Sequence, residues 1–161
     1  MEKAKATRYT FSPSTSLTNP QIAIEILNEG RIGIASQMLG LAQGAFSLAV
    51  PYTYSRSQFS QPVGTFQGMA FQFASAATKI ETARLLTYSA ARRKEMGLDF
   101  VKQAAMAKWW AGEVAGEVSG KAIEWMGGLG FTRETGVEKF WRDSKIVWVP
   151  RFRFESPANV L

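Results

Sequence analysis

Between Pro20 and Met126 the sequence keeps a helical period over runs so long that only extended α-helices can use them. In the first run Ile34, Met38, Leu41, Ala45 and Leu48 recur at alternating spacings of four and three. Pro20 suits a helix's first turn, so this run is predicted to continue to about Arg56, with Pro51 kinking it or ending it early. Gln61-Pro62-Val63-Gly64 reads as a connection. A second helix is predicted from Phe66 to Met96, with Met69, Phe73, Ala76, Ile80, Ala83 and Thr87 on its core face and a stop at Gly97. Asp99 is a good N-cap for a third helix closing near Met126, whose face is Ala107, Ala111, Val114, Val118, Ala122 and Trp125. Small residues on it (Ala104, Ala105, Ala107, Ala111, Ala115) allow close helix packing. A shorter helical piece spans about Val137 to Lys145. After Ile146 the pattern alternates and contains Pro150, as an extended tail would. Nothing reads as a β-sheet core. The expected fold is all-α, an antiparallel up-down helical bundle of long helices. The chain divides into a flexible arm over 1–21, rich in Ser and Thr, a helical bundle over 22–146 and a divergent tail over 147–161.

Composition narrows the chemistry. At 161 residues the chain is one domain's worth, and it has neither Cys nor His. Thiolate nucleophiles, imidazole bases and zinc sites of the usual type are therefore excluded, and no metal site is expected. Glu113 and Glu117 sit one helical turn apart, but a di-iron bundle also needs Glu-x-x-His pairs; a solvated acidic face near lysines is the plainer account. The net charge of +6 raises the question of an anionic partner. The basic residues are scattered, however, apart from Arg92-Arg93-Lys94 at a helix end, where the dipole explains them. Interleaving with aromatics occurs only at Arg151-Phe152-Arg153-Phe154, so no nucleic-acid partner is expected. No apolar stretch approaches the ~20 residues of a membrane span. The first twenty residues faintly resemble a mitochondrial transit peptide without a convincing amphipathic Arg face.

Glu124-Trp125-Met126-Gly127-Gly128-Leu129-Gly130-Phe131 closes the third helix. Glycines at this density either stop a helix or leave backbone uncovered, so that another molecule can approach the main chain. Both readings stand on the local pattern.

Three segments together resemble the C-terminal helical domain of the acyl-CoA dehydrogenases, most closely the short/branched-chain members. They are Ile24 to Gly44, with Asn28-Glu29-Gly30-Arg31 at its core; Tyr54-Ser55-Arg56-Ser57-Gln58-Phe59 followed by Phe66-Gln67; and Glu124 to Phe131 with its sequel Val137 to Ile146. The likeness runs without gaps from about Ile22 to Ile146. It implies FAD as cofactor, lying between subunits, and an acyl-CoA substrate. It further implies an electron-transfer flavoprotein as electron acceptor, a homo-oligomer, and a place in fatty acid and branched-chain amino acid metabolism. The location it implies is the mitochondrial matrix, or the cytoplasm if the source is bacterial. In the family a glutamate removes the proton alpha to the thioester carbonyl while hydride passes to the flavin. By the same resemblance Arg56 contacts the FAD diphosphate, Gln67 makes a second FAD contact, and Glu124, Trp125, Met126, Gly127 and Gly128 receive the adenylate half of a neighbouring subunit's FAD. Asn28, Glu29, Gly30 and Arg31 correspond to the substrate-contacting segment. For Arg31 a structural salt bridge to a facing carboxylate is the alternative.

The chain also departs from the family. Arg151 stands where the catalytic glutamate is expected, and arginine does not act as a base at neutral pH. Glu155 is the nearest carboxylate, displaced by four residues. Some relatives place the base at the position of Gly30, and Glu29 lies about 100° further round a helix. The catalytic base is therefore unassigned. Ser60 replaces a glycine after Phe59. The family's final helix is missing, which should expose an apolar groove, and the N-terminal and middle domains are not in this chain. The expectation is a domain inactive on its own, or alternatively a non-catalytic helical oligomerisation or interaction module. Both ends look foreign to the family, as a truncated, spliced or mis-framed product would.

Overall fold

A computed structural model describes residues 19–147. The tail residues Arg151 and Glu155 lie outside them, as does almost all of the expected arm. Four helices follow one another: α1 (Asn19–Ser55), α2 (Gln67–Glu95), α3 (Val101–Met126) and α4 (Val137–Ser144). α3 is central, with its largest interface to α1 and others to α2 and α4. α1, α2 and α3 run alternately up and down, so the C-termini of α1 and α3 and the N-terminus of α2 share one end of the bundle. The all-α expectation holds. The described residues also include a minimal antiparallel hairpin, β1 (Ser57–Gln58) with β2 (Gln61–Pro62), inside the connection.

α2 and α3 bury the faces their periodicity indicates: Phe73, Ala76, Ile80, Ala83 and Thr87 on one, Ala107, Ala111, Val114, Val118, Ala122 and Trp125 on the other. Ala105 is exposed, while Ala104, Ala107, Ala111 and Ala115 supply the close approach. α1 departs further. Its buried apolar residues are Ala35, Met38, Leu39, Ala42, Ala45 and Ala49, and Leu48 is exposed. The alanines let the α1 backbone come close to the small residues of α3.

Pro51 does not end α1, which continues to Ser55. The carbonyl that Pro51 leaves without a donor belongs to Ser47, and both residues are exposed, so water can satisfy it. Gly97 ends α2 at φ +68°, the conformation that favours glycine at such a stop. Asp99 lies one residue before the cap position; its carboxylate accepts the Val101 amide at 3.1 Å. α1 contains an 18-residue window of mean hydropathy 1.2, a length and composition that core helices also reach, and its alanine stripe is buried in the bundle.

Candidate functional site

The end of the bundle where α1 and α3 finish collects the second and third of the singled-out segments. Arg56 follows α1 directly. Its carbonyl accepts the Val63 amide at 2.8 Å, closing the hairpin onto the helix end. Gly64 then packs against α1 so tightly that a Cβ there would lie 2.8 Å from Thr53 Oγ1. This fixes where α2 begins, with Gln67 exposed as its first residue.

Across from Arg56, α3 breaks at Gly127, whose φ is +61° and ψ −137°. A Cβ at Gly127 would stand 3.5 Å from Arg56 Nη1. The guanidinium and the glycine turn are therefore direct neighbours, although the two residues are far apart in sequence. Gly127 and Gly128 are exposed, and nothing lies within 4 Å of where a Gly128 Cβ would be. Gly130 is the opposite case: a Cβ there would meet the Ile123 carbonyl oxygen at 2.3 Å, because the chain doubles back onto the last turn of α3.

The Gly127 amide donates to the Glu124 carbonyl and the Gly130 amide to the Gly127 carbonyl at 2.9 Å. What the turn offers is bare backbone surface that a flat or bulky group can approach, with the Arg56 charge at its side. Glu124 is exposed and paired with Lys121 at 2.6 Å, and Met126 is buried.

Trp125 supports this turn from beneath. It is 6% exposed, stands perpendicular to Phe73 at 4.9 Å and edge-on to Phe46 at 6.1 Å, and donates its indole N–H to Gln72 Oε1 at 3.1 Å. Trp125 thus acts as a core anchor for the segment. Phe59, from the second segment, is 91% exposed at the hairpin tip. Gln72 also stands here, and no local pattern in the sequence singles it out.

The first segment lies elsewhere. Asn28 is buried in α1 and accepts a hydrogen bond from Arg31 Nη1 at 3.0 Å. Arg31 is therefore held by its own helix, not by the facing carboxylate that the alternative reading supposed. Glu29 pairs with Lys94 of α2 at 3.0 Å, and Gly30 is exposed with open space at its Cβ position. Arg31 precedes the end of α1 by 24 residues, a separation of about 36 Å along the axis. The two groups of residues occupy opposite ends of the molecule. Among the described residues no cluster of three or more Asp or Glu could hold a metal. Arg84 has its pKa raised by its hydrogen bond to Glu81, on α2 and away from either group.

Residues 21–149 match the family model for the acyl-CoA dehydrogenase C-terminal domain, and the chain belongs to that family. Within it, the chain is 58% identical over 138 residues to the mitochondrial short/branched chain specific acyl-CoA dehydrogenase of Rattus norvegicus, covering 86% of this chain and 31% of the relative. The probable short/branched chain specific enzyme of Dictyostelium discoideum is likewise 58% identical, over 140 residues, or 87% of this chain and 33% of the relative. Among solved structures, butyryl-CoA dehydrogenase from Megasphaera elsdenii superposes with a TM-score of 0.79 at 41% identity, over 80% of this chain and 34% of that one. The chain spans about a third of the length of these relatives.

Proposed function

We propose that this chain serves as the C-terminal domain of an FAD-dependent dehydrogenase that introduces an α,β double bond into short or branched-chain acyl-CoA thioesters. The observation that carries the reading is the placement of the Arg56 guanidinium beside Gly127. An exposed guanidinium beside uncovered backbone fits a diphosphate followed by a nucleoside: the planar fork can take two phosphate oxygens, and the bare glycines admit the sugar and base. Arg56, Gln67 and Glu124 to Gly128 would hold the adenosine diphosphate half of FAD. Asn28 to Arg31 would contact acyl-CoA. FAD, when bound, supplies the hydride acceptor. The separation of about 36 Å between the two groups supports a division of labour in which each serves a different flavin, one of them held by a neighbouring subunit. A homo-oligomer follows from that reading. An electron-transfer flavoprotein as acceptor is supported by the similarity, 41% over 124 residues, to a subunit of a caffeyl-CoA reductase–Etf complex of Acetobacterium woodii. A mitochondrial matrix location is supported by the mitochondrial relatives of animals, and a cytoplasmic one would apply to a bacterial source.

No base is assigned. Glu29 is engaged by Lys94, Gly30 has no side chain, and Arg151 stands at the family's position. The chain alone is therefore inactive in this reading. FAD titration of the purified chain tests it. Weak binding that falls about tenfold or more in Arg56→Gln is expected, since a charge-assisted hydrogen bond contributes about 1.5–3 kcal/mol. No flavin bleaching should follow addition of 2-methylbutyryl-CoA. Bleaching would overturn the inactivity and point to Glu155. Loss of any Arg56-dependent FAD binding would favour the second reading, a non-catalytic interaction module, for which the exposed Phe71, Leu85, Tyr88 and Trp109 speak.

A further inference from the structure

We infer that Gln72 is a positioning residue: through Trp125 it keeps the Gly127–Gly130 turn, Arg56 and the first turn of α2 in one fixed arrangement. Its side chain is bonded at both ends. Nε2 donates to the Gly68 carbonyl at 3.2 Å, in the turn of α2 that begins with Gln67, and Oε1 accepts the Trp125 indole N–H at 3.1 Å. A carbonyl partner needs the amide nitrogen and an indole partner needs the amide oxygen, so the two bonds demand the same side-chain orientation. A clamp results that ties the start of α2 to the end of α3. Phe73, the next residue, stacks perpendicular to Trp125 and also touches Tyr54 with ring centroids 6.4 Å apart, which reaches the end of α1 just before Arg56.

The turn depends on such support. It leaves α3 in a conformation open to glycine alone at Gly127, and the buried Trp125 and Met126 root the helix in the core just before that point, Trp125 being the one bonded to α2. Without the Gln72 bond the indole N–H would lose its acceptor, and the ring could rotate within the Phe46–Phe73 slot and carry the turn with it. The clamp gains its functional meaning from the flavin reading above, but its mechanical content can be measured without any ligand.

The experiment is amide hydrogen exchange by NMR on the full chain, comparing wild type with Gln72→Met and Gln72→Glu. Methionine removes both polar ends at similar length; glutamate keeps an acceptor for the indole. In Gln72→Met the Gly127 and Gly130 amides should exchange about tenfold faster, the worth of one net hydrogen bond. Ala111 and Val114 in the centre of α3 should be unchanged, and Gln72→Glu should recover protection at the turn. Unchanged exchange at the turn in Gln72→Met would overturn the proposal. Acceleration equal in the turn and in the α3 centre would overturn it too, since that is what general destabilisation produces. An FAD titration of the wild type separates the two inferences: turn loosening without any FAD binding would uphold the clamp and defeat the flavin role.

Discussion

At the residue scale, the hairpin after Arg56 holds strain at its two loop residues. Phe59 and Ser60 lie at φ +51° and +64°, and the loop between β1 and β2 has these two residues alone. Two-residue hairpins favour positive φ at both positions, because that twist matches the flanking strands, and Asn-Gly is the usual solution. Serine carries a Cβ into a region where it costs about 1–3 kcal/mol. Ser60→Gly should therefore stabilise the chain by about 1 kcal/mol, raising Tm by about 2–4 °C; an unchanged or lower Tm in a thermal melt would show that Ser60 is not strained. That a residue near the site departs from glycine was legible in the sequence. That the position needs a left-handed backbone was not, since it follows from the two-residue loop that the β1–β2 pairing sets.

At the element scale, the glycines ending α3 look alike in sequence and differ in space. Gly128 faces open space, and Gly130 is pressed onto the Ile123 backbone. Gly130→Ala should cost stability near the top of the 1–3 kcal/mol range for overpacking, because the obstructing atom is a carbonyl oxygen that cannot swing away. Gly128→Ala should change stability by less than about 0.5 kcal/mol while weakening FAD binding. Urea midpoints for the two variants decide the matter, and equal losses would remove the distinction. The sequence made the helices readable from their periods, with α2 and α3 in the right phase and α4 close to its observed bounds. In α1 Met38 and Ala45 are buried as read and Ile34 and Leu41 pack against the core, but Leu48 is exposed and Ala49 takes its place, a choice that depends on how near α3 comes. Only the resemblance put Arg56 and Gly127 at one ligand, and nothing local showed them to be neighbours or that Gln72 meets Trp125. Such pairings join residues far apart in the chain and leave no local pattern.

For the whole molecule the telling feature is how much large apolar surface stays uncovered. Leu85 and Tyr88 stand one turn apart on α2, and Met106 and Trp109 one turn apart on α3, all of them exposed. The Trp110–Thr82 hydrogen bond, at 3.0 Å, sets these two pairs at about the same height in the bundle. Ion pairs such as Lys79–Glu117 and Arg84–Glu81 are partly solvated and contribute little each, so they do not mask this surface. Exposed clusters of large apolar side chains mark association surfaces. In isolation the chain should therefore self-associate, with a sedimentation coefficient that rises with concentration. Leu85→Glu combined with Trp109→Glu should shift it to a monomer while leaving the helical circular dichroism intact, because neither side chain lies in the core. A wild-type chain that stays monomeric at the highest soluble concentration would refute this. A double variant that still associates would move the contact elsewhere, and the next place to look would be Ile24, Ile26 and Leu27, which are exposed beside the substrate-like segment of α1.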